Sequence, residues 1–386
     1  MNDAAVAILA RLRAVRLVSR RLAACAFVAT GRCSPWSLTG PTYGGEGRNA
    51  GRSDRLGPGD MTTGTGALVR FSAVLLVTAV IAASACDRTE VSPSDRDRPE
   101  TSDLERALRA LGTKTGSVAL VRTDAGIERD AFGEAEPGRS ADPHDRFHIQ
   151  STTKTFVATV VLQLVGERRL SLQDTVGDLL PGVIRPVRPI TVRQLLNHSS
   201  GLVGDSIGPP APGTRFYYSN ANYVLLGQIV EEVTGRPLER VVLDRIFRPL
   251  DLDDTSYGTA AIGSPDEVPW LGYPVVTFPV RGNAGIVSTV DDVATFFAAL
   301  LGGKLLRPDL MADMTHTIEG EEGYRVGLGI FRDELSCGVA WGHGGDGDFY
   351  STMTLAARDG SKVVVVAQNS SGFDPAHSVA EDIYCS

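Results

Sequence analysis

The chain is 386 residues long, carries a formal net charge of −8 and is 42 % hydrophobic. With no basic block or stripe, that balance excludes nucleic-acid binding, and the length suits one large domain plus a leader. Lysine is scarce beside arginine (Lys114, Lys154, Lys304 and Lys362 are all there are), which reads as genome composition rather than function.

Residues 1–60 are rich in Arg, Gly, Ala and Ser without sustained periodicity, and are expected to be a disordered upstream extension, with Met61 as the real start. From Met61 the pattern changes. Arg70 supplies a positive n-region, Phe71 to Ala82 a short apolar core, and Ala83-Ser84-Ala85-Cys86 a small-residue end. Residues 61–86 therefore predict a secretory signal peptide, too short for a comfortable membrane span. The cysteine straight after small residues resembles a bacterial lipoprotein signal, in which Cys86 would become the lipidated N-terminus, although Ala83 stands where leucine is usual. An uncleaved membrane anchor is the alternative. Residues 87–102 are polar, charged and proline-containing, the composition of a disordered tether.

The body, 103–386, opens with an amphipathic helix from Asp103 to Leu111, then a strand over Ser117–Arg122, a turn at Asp124-Ala125-Gly126 and a hairpin partner over Ile127–Phe132. Next comes the run from Phe147 to Phe156, which contains Ser151 and Lys154, and then Val157 to Val165, apolar on nearly every face. A helix apolar all round belongs in a core. Ser151 and Lys154 would share one helix face, with the amine beside the hydroxyl, and burial would lower the lysine's pKa towards that of a useful base. A helix N-terminus beneath Ser151 would favour a developing oxyanion.

The middle section, 175–259, predicts helices broken by Pro and Gly: a capped short one over Thr191–Asn197, and a longer one over Asn222–Val233 that ends near Gly235-Arg236-Pro237. Tyr218-Ser219-Asn220 is expected on the loop feeding it. Val290–Leu301 predicts another helix, with Asp291 and Asp292 in its first turn. Strands follow over Gly338–Trp341, Ser351–Ala357 and Lys362–Ala367, with a hairpin turn at Arg358-Asp359-Gly360, and Pro375–Tyr384 closes as a helix. Strands at both ends and helices between them predict one α+β domain, an antiparallel sheet flanked by helices with a mostly helical insertion at 175–259. His343-Gly344-Gly345 lies at a strand end, where bare glycines let something approach the backbone closely. In an exported body, Cys337 and Cys385 are an even pair and predict a disulfide tying the C-terminus to a strand, two buried thiols being the alternative. No metal site is expected: His144 and His148 are four apart but have no clear acidic partners.

Ser151-x-x-Lys154, then Tyr218-Ser219-Asn220, then His343-Gly344-Gly345, in that order, resemble the motifs of the serine β-lactamase and penicillin-recognising family, most similar to its class C-like branch and the actinomycete D-alanyl-D-alanine carboxypeptidases. The stretches Leu195–Leu202, Gly285–Asp292, Gly327–Gly329 and Leu335–Gly338 agree with it. The resemblance implies Ser151 as nucleophile, Lys154 as its activating partner, Tyr218 as acid/base serving the leaving group, and Asn220 as hydrogen-bond partner of the substrate amide. It implies His343, Gly344 and Gly345 as the strand edge along which substrate lies, and the amides of Ser151 and Asp346 as the oxyanion hole. Tyr218, with an ordinary pKa near 10, would need Lys154 to favour its phenolate. The carboxypeptidases use threonine in the middle of the third motif, and an arginine before Ser-Cys-Gly, to bind the substrate's terminal carboxylate. Here Gly344 and Phe331 stand at those places, Arg332 would point to the other side of a strand, and Asp346 adds a negative charge. The segment between Leu202 and Tyr218 is short and Pro/Gly-rich, which should open the site.

The expectation is an exported, monomeric serine hydrolase acting through an acyl-enzyme on a small peptide, β-lactam or ester, without cofactor or metal and touching membrane only through a lipid at Cys86. D-alanyl-D-alanine carboxypeptidase-like activity on cell-wall peptides comes first, and a β-lactamase or esterase on the same site second. A non-catalytic penicillin-binding or sensory module is the rival of another class. An α/β-hydrolase is disfavoured because no Gly-x-Ser-x-Gly elbow is present.

Overall fold

The computed structural model describes residues 102–386 apart from 113–114, 184–188, 204–205, 208–210, 264–267, 273–281 and 321–323. The expected leader, signal peptide, Cys86 and nearly all of the tether lie outside the described residues, as does part of the segment expected to open the site.

Helix α1 (Asp103–Leu108) is capped by Ser102, whose hydroxyl accepts from the Glu105 amide. Strand β1 (Ser117–Thr123) and β2 (Gly126–Phe132) form the expected hairpin. Six further strands complete the main sheet: β3 (Ile318–Glu319), β4 (Arg325–Val326), β5 (Phe331–Leu335), β6 (Gly338–Asp346), β7 (Ser351–Ala356) and β8 (Val363–Gln368). The order is β3-β4-β5-β6-β7-β8-β1-β2, and every pair is antiparallel. Pairing of β1 with β8, Ser117 opposite Gln368, joins the N- and C-terminal segments. Strand β6 runs on to Asp346, five residues past the expected end at Trp341, because the glycines continue to pair: Gly344 lies opposite Met353 and Gly345 opposite Thr352.

Apolar residues cover both faces of this sheet, so the central strand β8 reads as a continuous Val run rather than an alternating one. On one face, helix α2 (Thr153–Gly166) runs through the main core, and Phe156 stacks on Phe296 with ring centroids 3.6 Å apart. The region 175–259 holds helix α3 (Val192–Leu196) and helix α4 (Asn220–Thr234), further short helices at Val176–Leu179 and Leu238–Val242, and two-residue strands at Leu202–Val203, Ser206–Ile207 and Ser256–Tyr257. A complete capping box at Thr191 and Gln194 starts α3, and Gly235, with φ of 68°, ends α4. Helix α5 (Val290–Leu301) begins at Thr289, which caps the Asp292 amide. On the other face, α1 and helix α6 (Phe373–Cys385) pack on Ala119, Met353, Leu355, Val364 and Val366. Cys337, in the β5–β6 turn, is bridged to Cys385 at the end of α6.

Candidate active site

Ser151 sits in a single 3-10 turn, Gln150–Thr152, and not in the helix itself; α2 begins two residues later, at Thr153. Gln150, immediately before it, has a φ of 49°, in the left-handed region that few non-glycine residues occupy. Thr152 fixes this turn to the sheet by donating to the His343 carbonyl at 3.3 Å. The turn could not lie so close if residue 345 had a side chain. A Cβ there would fall 2.4 Å from the Ile149 carbonyl oxygen and 3.1 Å from the Ser151 amide nitrogen. On the opposite face of the same strand, a Cβ on Gly344 would fall 1.9 Å from the ring of Phe373.

Lys154 is completely buried. Its Nζ donates to Ser151 Oγ at 2.7 Å and to the Asn283 carbonyl at 2.9 Å, and it faces the rings of Tyr218 and Tyr223. Burial lowers its pKa to about 7, so near neutral pH a large fraction is the free amine. In that form it can take the proton of the Ser151 hydroxyl. Tyr218 donates its hydroxyl to Ser151 Oγ at 2.9 Å. The residue as a whole is 37 % exposed, but its hydroxyl end is turned in towards Ser151. Desolvation there pushes its pKa up to about 12, against the weaker opposing effect of the Ser151 hydrogen bond. The sequence left open which of the two takes the serine proton; a lysine that is itself half neutral supplies little positive charge, and burial of the phenol outweighs it, which favours Lys154.

His198, in the stretch Leu195–Leu202, had no role in the sequence reading. Its ring stacks on Tyr218 with centroids 4.4 Å apart, and its Nδ1 accepts from the Ser219 amide at 3.2 Å and from Asn222 Nδ2 at 3.0 Å. Burial and the nearby Lys154 hold its pKa well below the usual histidine value, so the ring is neutral. His343 is also buried. Burial first, and Lys154 second, push its pKa down to about 3, and its Nδ1–H donates to the Gly344 carbonyl. Asn220 is the first residue of α4, two residues before the expected start of that helix. The carbonyl of Asn283 and the stack of His198 on Tyr218 were not legible in sequence, because neither belongs to a spacing that pairs it with Ser151.

Ser151, Tyr218, Asn220, His343, Gly344 and Asp346 line one cleft of about 550 Å³, so these predicted site residues are brought together. Lys154 lies beneath Ser151, and Gly345 backs onto the serine turn. The rest of the cleft wall is Phe216, Tyr324, Phe331, Asp333, Gly342, Met353, Leu355 and Phe373, with no lysine or arginine among these described residues. Arg332 pairs with Glu334 instead, as its alternate position on β5 requires. A smaller hollow of about 250 Å³, lined by Glu134, Glu136, Phe349 and Tyr350 among others, contains none of the predicted site residues.

The family model described as Beta-lactamase matches residues 102–383. Among solved structures, a D-stereospecific amidohydrolase from Streptomyces sp. is 31 % identical and aligns over 73 % of this chain and 98 % of its own, with a TM-score of 0.62. A D-amino acid amidase from Ochrobactrum anthropi SV3, 20 % identical with a TM-score of 0.62 over 73 % of this chain and 99 % of that one, shares the fold. Penicillin-binding protein 4 of Amycolatopsis lactamdurans is 30 % identical over 173 residues, which are 38 % of this chain and 45 % of that protein. The chain thus spans about half the length of that curated relative. With a β-lactamase-type α+β fold, the ordered motifs meeting in one cleft, and a match running through almost all the described residues, the chain belongs to the Beta-lactamase family, within the serine β-lactamase and penicillin-binding protein superfamily.

Proposed function

We propose that this protein is an exported serine hydrolase that cleaves amide or ester bonds of small, D-configured peptide-like substrates through an acyl-enzyme on Ser151. The observation that carries this reading is the convergence on one oxygen: Lys154 Nζ at 2.7 Å and Tyr218 Oη at 2.9 Å from Ser151 Oγ. Neutral Lys154 takes the hydroxyl proton as Oγ attacks the carbonyl carbon, and the amides of Ser151 and Asp346 receive the developing oxyanion. Tyr218, held protonated and already donating, passes its proton to the departing nitrogen or oxygen and recovers one from Lys154. Water then repeats the sequence on the acyl-enzyme and releases the product. Asn220 holds the substrate amide, and the edge of β6 from His343 to Asp346 receives the substrate backbone.

D-alanyl-D-alanine carboxypeptidase-like activity on cell-wall peptides is the second reading, favoured by a 26 % identical Escherichia coli relative named as a D-alanyl-D-alanine carboxypeptidase. The absence of lysine and arginine from the described cleft wall favours substrates whose departing end is uncharged. Export, with or without lipidation at Cys86, belongs to the same proposal, and the Cys337–Cys385 bridge supports it.

A panel of N-acetyl-D-alanyl-D-alanine, N-acetyl-D-alaninamide, nitrocefin and p-nitrophenyl butyrate tests the reading. Hydrolysis of the amide and the ester is expected, and Ser151→Ala should remove it by at least ~10³-fold. Turnover of nitrocefin alone would make the protein a β-lactamase. No turnover of any compound, with a fluorescent penicillin still bound covalently at Ser151, would make it a penicillin-binding module.

A further inference from the structure

Of the residues that depart from the carboxylate-binding pattern, Gly344 and Asp346 meet the start of the C-terminal helix α6, and Phe331 is linked to that helix through Tyr324. The place a side chain at 344 would occupy is filled by the Phe373 ring, 1.9 Å from the would-be Cβ. Asp346 Oδ1 accepts from the amide of Gly372 at 3.0 Å, which anchors the residue next to Phe373. Gly372 has a φ of 125°, a conformation open to glycine, so the chain turns into α6 with Phe373 facing the cleft. Phe331 stands where the resemblance places an arginine. It packs edge-on against His343, Phe216 and Tyr324 at centroid distances of 4.9, 6.4 and 6.3 Å. Tyr324 in turn meets His377 at 6.0 Å, and His377 meets Phe373 at 5.8 Å. The rings of Phe216, Phe331, Tyr324, His377 and Phe373 thus form a continuous belt, and all but His377 line the cleft together with Met353 and Leu355. Asp333, the carboxylate in this wall, is engaged through Oδ2 by His377 Nε2 at 2.5 Å and so is not an open charge.

Resting on the acyl-enzyme reading above, we infer that this belt is a subsite for an uncharged apolar or aromatic group on the departing side of the scissile bond, with Phe373 its specificity-determining residue. The side follows from chemistry. The terminal carboxylate that the threonine and arginine positions bind in a carboxypeptidase belongs to the residue that leaves. The same positions here hold Gly344 and Phe331, beside Phe373. A carboxylate placed there would meet aromatic faces and the charge of Asp346, with no lysine or arginine in the described wall and the His377 imidazole already engaged by Asp333, and its desolvation would go uncompensated. An apolar ring or branched chain would be buried against matching surface.

The test holds the acyl half constant as N-acetyl-D-alanyl and varies the leaving group among D-alanine, D-alaninamide and D-phenylalaninamide, with the p-nitrophenyl ester as the activated reference. For the wild type, kcat/KM for D-phenylalaninamide should exceed that for D-alanine by about tenfold or more. Phe373→Ala should collapse that ratio and Phe373→Leu should keep most of it. Preference for the free acid in the wild type, or a ratio that neither variant moves, overturns the subsite while the acyl-enzyme reading stands. Failure to hydrolyse even the p-nitrophenyl ester overturns the acyl-enzyme reading itself. If Phe373→Ala does not fold, the wild-type ratio and the leucine variant decide.

Discussion

At the scale of single residues, Lys154 holds most of the chemistry in the proposed mechanism. A lysine with no exposure and a pKa near 7 is a base matched to neutral pH, and the cause is burial rather than a cationic neighbour. Acylation by an activated ester should therefore rise with pH through an inflection near 7 in kcat/KM; an inflection above 10 would transfer the base role to Tyr218. The same burial has a signature in stability. The folded protein holds the lysine proton less tightly than the unfolded chain does, so between about 7 and the ordinary lysine value of 10.5 the unfolded state binds more protons. Wild-type stability should rise with pH across that window relative to Lys154→Met, and the gap in favour of the variant should be widest below pH 7. Urea melts of the two proteins at several pH values check this, and parallel pH profiles would refute a desolvated Lys154. His198 illustrates a different residue-scale effect. With two donors on Nδ1 and a stack on Tyr218, it orients the phenol while staying uncharged itself.

At the scale of elements, the serine turn and β6 are in contact because residue 345 has no side chain. Gly345→Val would force its Cβ into the backbone of Ile149 and Ser151, and only a shift of the turn relieves that overlap. Displacement of Ser151, the proposed nucleophile, by about 1 Å is expected to cost ~10²-fold in acylation. The burst amplitude and rate with an activated ester measure it, with circular dichroism confirming that the fold is retained; unimpaired acylation would show that the turn tolerates the shift. Helix α6 is held at both ends, by the Asp346–Gly372 hydrogen bond at its start and the Cys337–Cys385 bridge at its finish. The bridge closes a loop with a sequence separation of 48. The chain-entropy model assigns such a loop roughly 4 kcal/mol as an upper figure, so Cys337→Ser or reductant should lower the melting temperature. Unchanged melting under reductant would mean that the bridge contributes nothing to stability.

At the scale of the whole molecule, long periodic or β-branched segments were legible. Examples are the all-apolar helix behind Lys154, the Val-rich β8, and the capped helices starting at Thr191 and Thr289. Two-residue strands such as Arg325–Val326 and Ser256–Tyr257, and the helix Pro308–Met314, were missed, since such short pieces carry too little periodicity to register. The ordered motifs around Ser151, Tyr218 and His343 were also legible, through their resemblance to those of the serine β-lactamase and penicillin-recognising family, since a Ser-x-x-Lys spacing by itself is common on ordinary helices. Their protonation was not. Which of Lys154 and Tyr218 is ready to accept a proton at neutral pH depends on how much water each loses, and that is set by chain segments far away in sequence. The use of Gly344 was hidden for the same reason. Its missing side chain could be read from the sequence, but that the space is filled by Phe373, held by Asp346 through Gly372, follows from the C-terminal helix folding back onto the sheet. Local order in the chain specifies which reactive groups are present and that they form helices and strands. Desolvation and shape arise when distant segments pack, and on them rest the proposed choice of Lys154 as base and the proposed preference of the cleft for an apolar leaving group.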